Sequence, residues 1–177
     1  MIMTGSLDRR AVTAKLLEDR GDLLVVTGLG SPSYDAMAAG DHDLNYYLWA
    51  AMGSAATVGF GLAMTQREKP VLVLTGDGEM LMGLGALASI GQKLPPNLTI
   101  AVLDNGHYGE TGMQTSHTGR DIELARFAEA ANFPWTRVVT DMDGVSDLRT
   151  RMQSRSGTSF AAIKIAAENL PRAMACM

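Results

Sequence analysis

The sequence is poor in the features that staple small proteins together or tie them to membranes. It contains one cysteine, Cys176, so neither a disulfide framework nor a cysteine-ligated metal or iron-sulfur cluster can form within the chain. A reducing compartment, the cytoplasm, is the expected setting. No apolar run approaches the roughly 20 residues of a membrane span, and the opening "MIMTGSLDRRAV" has no apolar signal core. Cationic residues are outnumbered, 15 Lys and Arg against 19 Asp and Glu, and the formal charge of -4 offers no field to nucleic acid or anionic lipid. Any phosphate would have to be held locally. Tryptophan is confined to Trp49 and Trp135, for which packing is a sufficient role.

What remains is ample for one core. The 177 residues are 46% hydrophobic, which fits a single globular domain spanning 1–177. The twelve methionines read chiefly as adaptable core filler. Strand-like and helix-like segments alternate along the chain. Helical spacing runs through "LDRRAVTAKLLEDRG", "SAATVGFGLAMTQ", "EMLMGLGALASIGQKL", "DIELARFAEAANF" and "GVSDLRTRMQS". Between them "LLVVTGLG", "PVLVLTGDG", "NLTIAVLDNG", "TRVVT" and "SFAAIKIA" read as buried strands. Continuous Val/Ile/Leu strands separated by helices predict a mostly parallel sheet with helices on both faces, a three-layer α/β/α fold. Ligands of such sheets lie at the strand carboxyl ends, and "GLGSPS", "TGDGE" and "LDNGHYGETG" all fall at that edge.

Asp77 lies between Gly76 and Gly78 directly after a strand. Alone, the triplet reads equally as a tight turn with an aspartate capping the next helix. Asn105 ends another buried strand in the same way, and a carboxylate and an amide oxygen on adjacent strand ends can share a hard divalent cation. The main-chain carbonyl of His107 could add a third oxygen. Magnesium is usually held by few protein groups plus phosphates and water, so a diphosphate would complete the set. Gly78 would then let backbone approach a phosphate, and the N–H groups near Glu79 and Met80 would face the anion.

These residues resemble the thiamine diphosphate motif, a GDG triplet followed after such an interval by asparagine. Here "DN", Asp104 then Asn105, stands in the asparagine position. The stretch from Leu23 to Gln114 is similar to the diphosphate-binding (PP) domain of these enzymes, and "DNGHYGETGMQ" resembles sulfopyruvate decarboxylase beta subunits and phosphonopyruvate decarboxylases. The resemblance implies that Gly30 and Ser31 meet the diphosphate, and that Asp77, Asn105 and the His107 carbonyl hold Mg2+. It implies that Met52 wedges beneath the cofactor, imposing its bent shape, and that the Ala50 carbonyl accepts from the aminopyrimidine. Gly76, Gly78, Glu79, Tyr108 and Gly109 fall among the cofactor-binding positions. Glu110 and Thr111, just past the metal loop, are the candidate catalytic pair that faces substrate.

The glutamate that activates the pyrimidine ring comes, in such enzymes, from a separate pyrimidine-binding (PYR) domain. No such second domain fits in 177 residues, and none of Glu18, Glu68, Glu79 or Glu110 can simply take the role. The resemblance therefore implies a PYR partner subunit within a homo- or hetero-oligomer, and a 2-oxo acid substrate with an anionic tail. An acetolactate synthase-like carboligase, a 2-oxo acid:ferredoxin oxidoreductase subunit and a non-catalytic thiamine diphosphate-binding protein are the other readings. Glu79 departs from the small hydroxyl residue frequent after GDG. Its backbone rather than its side chain is expected to serve the phosphate, with the carboxylate turned away in the first helical turn. His107 and His117 are acid-base candidates because histidine titrates near neutrality, whereas His42 reads as a surface loop residue.

Overall fold

The computed structural model describes residues 6–173; Cys176 and the first residues of the opening segment lie outside them. In chain order the elements are α1 Arg9–Leu17, β1 Leu24–Thr27, α2 Ser31–Ala38, β2 Asn45–Tyr47, α3 Ala55–Thr65, β3 Val71–Gly76, α4 Asp77–Met82 and α5 Ala86–Lys93. They continue with β4 Leu98–Asp104, β5 His107–Tyr108, a short 3-10 turn Gly109–Thr111, β6 Gln114–Thr115, α6 Leu124–Ala130, β7 Trp135–Val139, α7 Met142–Gln153 and β8 Ser159–Lys164. Six strands form one parallel sheet in the order β2-β1-β3-β4-β8-β7, and β5 with β6 makes a separate antiparallel hairpin.

Alternation along each strand divides the core between two helical layers. Val71, Val73, Ile100 and Val102 pack with Ala63 of α3, Ile90 of α5 and Leu124 of α6. Leu72, Leu74, Ala101 and Leu103 pack on the other face with Leu16 of α1, Ala36 of α2 and Leu148 of α7. The fold is thus the three-layer α/β/α sandwich that the strand composition predicts. Among the described residues no helix is long and apolar enough to cross a membrane.

Two departures from the sequence pattern shape the crevice. The stretch after Gly30, which gave no regular element, holds α2 and the short edge strand β2. The helix expected over 79–94 is two helices, broken around Gly83, Leu84 and Gly85. Glycines weaken a helix there, and packing requires one: a Cβ on Gly83 would lie 1.9 Å from the Gly53 carbonyl oxygen. The turn after Met52 and the end of α4 therefore meet backbone to backbone.

Strand order reverses between β1 and β3, since β2 lies beyond β1 and β4 beyond β3. Their carboxyl ends open a crevice at this switch point, the place where ligands of open parallel sheets sit. The loops after β1 and β3 form its two sides.

Candidate active site

All the candidate cofactor, metal and substrate-facing residues except Gly30 and Ala50 line one cavity at this crevice, and the acid-base candidate His117 does not. Ala50 is exposed in the turn ahead of α3, and Gly30 is buried beneath Glu110, whose Oε1 would lie 2.5 Å from a Cβ placed there. Asp77 begins α4 and is 2% exposed. Its Oδ2 accepts from the hydroxyls of Ser116 and Thr118, the latter at 2.8 Å. Among the described residues, no side chain of another residue donates to Oδ1. Burial raises the Asp77 carboxyl above the usual range, the two hydroxyls oppose that rise, and nearby Asp104 adds to it.

Behind Asp77 lies a connected polar network. The Thr118 hydroxyl is also 2.7 Å from Asp104 Oδ1 and 2.9 Å from the Ser116 hydroxyl, and Lys164 Nζ donates to Asp104 Oδ2 at 2.6 Å. Glu123 Oε2 lies 3.3 Å from the same ammonium. Burial pulls the Lys164 pKa down, but Asp104 and Glu123 outweigh it and the net direction is up. Two hydroxyl protons serve four close oxygen contacts, so the hydroxyls cannot satisfy both ionised carboxylates at every contact. A cation on Asp77 would offset the negative charge that these contacts leave unmatched.

Asp104 is committed to Lys164, and it is the next residue, Asn105, that lines the cavity. Asn105 Oδ1 accepts the His107 N–H at 2.8 Å, and the imidazole Nδ1 of His107 lies 2.8 Å from the Asn105 carbonyl. The side chain of His107 is thus engaged within its own turn. Among the described residues no three His, Cys, Asp or Glu side chains converge as a metal site. The carboxylate of Asp77, the amide oxygen of Asn105 and the His107 carbonyl, from residues lining one cavity, would give instead a sparse, all-oxygen donor set. Such a set suits magnesium carrying water and ligand oxygens, so the residues fit the ion.

Glu79 lies in the first turn of α4, and its side chain is fully engaged by neighbouring groups. Its carboxylate accepts from the Thr75 hydroxyl at 2.6 Å, the Leu29 N–H at 3.2 Å and the Ala55 N–H at 3.4 Å. It joins the loop after β1, the start of α3 and the top of β3. Burial raises its pKa, against the hydrogen bonds from Thr75, Ala55, Leu29 and Gly53 that lower it. A Cβ on Gly28 would sit 1.6 Å from Glu79 Oε2, so this link requires glycine at position 28.

The mouth is less ordered by hydrogen bonds. Met52 and Met82 are 55% and 61% exposed and both line the cavity. The Tyr108 ring covers Gly78, where an added Cβ would lie 2.7 Å from it. Thr111 donates to Gln114 at 2.9 Å, and Glu110 accepts from Arg172 at 3.3 Å. His117 is exposed with Nδ1 3.0 Å from the Tyr108 hydroxyl, and His42 lies in an exposed loop, where its Nδ1 accepts from the Leu44 N–H.

The sequence reading missed Ser116, Thr118, Lys164 and Arg9, which also lines the cavity. A lone lysine inside "SFAAIKIA" and a hydroxyl on either side of His117 were the available signals.

Comparisons with known proteins identify the family. Residues 29–166 match the family described as thiamine pyrophosphate enzyme, C-terminal TPP binding domain. The chain is 36% identical over 152 residues to a sulfopyruvate decarboxylase of Methanosarcina acetivorans, covering 86% of this chain and 39% of that protein. It is 37% identical over 119 residues to the sulfopyruvate decarboxylase subunit beta of Methanocaldococcus jannaschii, covering 67% and 63%. A phosphonopyruvate decarboxylase of Streptomyces viridochromogenes is 36% identical over 155 residues, covering 88% and 38%. The chain therefore spans less than two thirds of the length of each of these relatives. Among solved structures, benzoylformate decarboxylase from Polynucleobacter necessarius superposes with a TM-score of 0.77 at 19% identity, over 93% of this chain and 34% of that one, a likeness of fold. The match over most of the chain and the cavity at the β1–β3 switch point agree: the chain belongs to the thiamine pyrophosphate enzymes, as a C-terminal TPP-binding domain.

Proposed function

We propose that the chain is the diphosphate-binding part of a thiamine diphosphate and Mg2+ dependent 2-oxo acid decarboxylase, acting on sulfopyruvate or phosphonopyruvate. The observation that carries this reading is Asp77, almost fully buried, tied at Oδ2 by Ser116 and Thr118, and lining one cavity with Asn105 and His107. Its decarboxylase relatives support the reaction class. Bound thiamine diphosphate supplies the electron sink that loss of carbon dioxide from a 2-oxo acid requires.

The chain's own residues do the holding. Asp77, Asn105 and the His107 carbonyl carry Mg2+, and Gly30 and Ser31 present backbone to the diphosphate. Met52 supports the cofactor from below, and Glu110 with Thr111 borders the substrate. Glu79 keeps the loops after β1 and before α3 in register, so it acts on the cofactor through Leu29 and Ala55.

A PYR-domain subunit completes the site and brings the activating glutamate. Relatives named subunit beta support such a partner. So do the exposed Met52 and Met82, whose adjoining turns meet at Gly53 and Gly83. The assembly is then a cytoplasmic hetero-oligomer.

Co-expression with a PYR-domain subunit and assay of carbon dioxide release from sulfopyruvate, phosphonopyruvate and pyruvate tests this. Release from an anionic-tailed acid in preference to pyruvate is expected, with the aldehyde as product. No release from any of them, with thiamine diphosphate bound, would sink the decarboxylase reading. A carboligated product on addition of a second oxo acid would move it to the acetolactate synthase type.

A further inference from the structure

Arg9 opens α1, lies outside the glycine-rich loops of the crevice, and is 6% exposed. It lines the cavity beside Ser31 and Pro32 of α2 and Ile165 beyond β8. Its nearest charged neighbour is Asp35 of α2, itself 0% exposed, with Arg9 Nε 3.5 Å from Oδ2. That contact is an ion pair without a hydrogen bond: Arg9 Nε and both Asp35 oxygens have no hydrogen-bond partner among the described residues. Arg10 shares Asp35 at 3.5 Å and its Nε likewise has no partner among the described residues, but its NH2 donates to the Pro171 carbonyl.

A buried guanidinium with unused donors is costly. Among the described residues, Arg9 is the one guanidinium or ammonium group on a cavity wall that also carries the carboxylates of Asp77, Glu79 and Glu110. Arg9 and Arg10 face Asp35, and Asp8 acts on the same carboxyl, so the cluster is balanced and Arg9 is the member that brings positive charge to the cavity wall. It adjoins the first turn of α2, where backbone dipoles also favour an anion. Charge, unspent donors and placement all ask for an oxyanion.

We infer that Arg9 is an anion anchor of the cavity, its guanidinium binding the cofactor's diphosphate from the α1–α2 side. This rests on the thiamine diphosphate reading. The anionic tail of a substrate offers the same oxyanion chemistry, but Arg9 is buried in the interior whereas the mouth is marked by exposed Met52 and Met82. The deeper ligand is the diphosphate. Asp35 is a positioning residue that holds the guanidinium by charge and leaves its donors to the ligand.

The test uses inorganic diphosphate with Mg2+ as the probe, read by calorimetry. Arg9→Gln should weaken its binding at least tenfold, as expected for a charge-assisted contact, and Arg9→Lys should recover part of the loss. Unchanged affinity in a folded Arg9→Gln protein overturns the inference. Should that variant fail to fold, the wild type decides: the Arg9 Nε–H resonance should shift on titration with inorganic diphosphate, and an unmoved resonance at saturation overturns it. A shift with phosphonopyruvate but not with diphosphate would reassign Arg9 to the substrate and overturn the diphosphate assignment. Failure of the wild type to bind diphosphate at all would instead count against the cofactor reading itself, a distinguishable result.

Discussion

Asp77, on the crevice wall, and Asp35, behind Arg9 on the α1–α2 side, are both nearly sealed from solvent and are satisfied in opposite ways. On the β3–β4 side Asp77 meets two hydroxyls, which continue through Asp104 to Lys164. On the α1–α2 side Asp35 meets two guanidiniums at 3.5 Å and accepts no hydrogen bond. The contrast separates two tasks. A metal ligand must be held in one orientation, which hydrogen bonds provide through directionality. A charge cluster that receives a diffuse anion needs potential more than direction, and charge alone supplies that.

The contrast can be broken most severely from the network's far end. Lys164→Met leaves Asp104 buried without its cation and should cost about 3–5 kcal/mol. Chemical denaturation checks it; a loss below about 1 kcal/mol would mean that the pair does not anchor the β3–β4 side.

A titration sharpens the other side. Burial pushes the Asp35 carboxyl up from 3.8 to about 6, against the lowering effect of Arg9 and Arg10. Because the folded pKa lies above the unfolded one, protonation favours the fold. The extra stability is fully present below about pH 3.8 and is lost as pH rises through about 6, by roughly 3 kcal/mol at most. The stability difference between wild type and Asp35→Asn, followed from pH 4 to 7, should fall across that window. A flat difference would show that the two arginines fully compensate the burial.

Between the two sides stands Glu79. Glu79→Gln keeps the shape but weakens acceptance from Thr75, Leu29 and Ala55, and should cost about 1–2 kcal/mol of stability with a roughly tenfold loss of cofactor affinity. Gly28→Ala should do the same by expelling the carboxylate, and the double variant should be little worse than either single one. Additive losses in denaturation would show that the two residues act separately. The smallest effect belongs to Thr118→Val, about 1 kcal/mol, because Ser116 still holds Asp77. Magnesium affinity should fall more visibly than stability, and equal affinity in the variant would remove Thr118 from the orientation of Asp77.

Much of this was legible in the chain. Continuous branched runs such as "VLVLTG" and "LTIAVLD" identify strands buried on both faces, and Gly76-Asp77-Gly78 with Asn105 locates the crevice before any coordinates are known. The short edge strand β2, "NYY", has no such run, and α2 hides in a segment rich in Gly, Ser and Pro. The break in the helix after Met82 depends on Gly53, 30 positions earlier, and local propensity carries no record of that packing. Arg9, Ser116, Thr118 and Lys164 were unreadable for a related reason. Their significance lies in partners distant along the chain, Asp77 and Asp104 for three of them and Asp35 for Arg9. Glu79 was legible only in part, since repulsion from a phosphate says where a carboxylate avoids and not which N–H groups draw it in.

The most direct measurement is calorimetric titration of thiamine diphosphate, with and without Mg2+, into the wild type and Asp77→Ala. Saturable, Mg2+-dependent binding to the wild type is expected, with at least a hundredfold weaker binding to the variant from the loss of a charged metal ligand. Binding that is equally tight in Asp77→Ala, or indifferent to Mg2+ in the wild type, would contradict the assignment of Asp77 as a metal ligand.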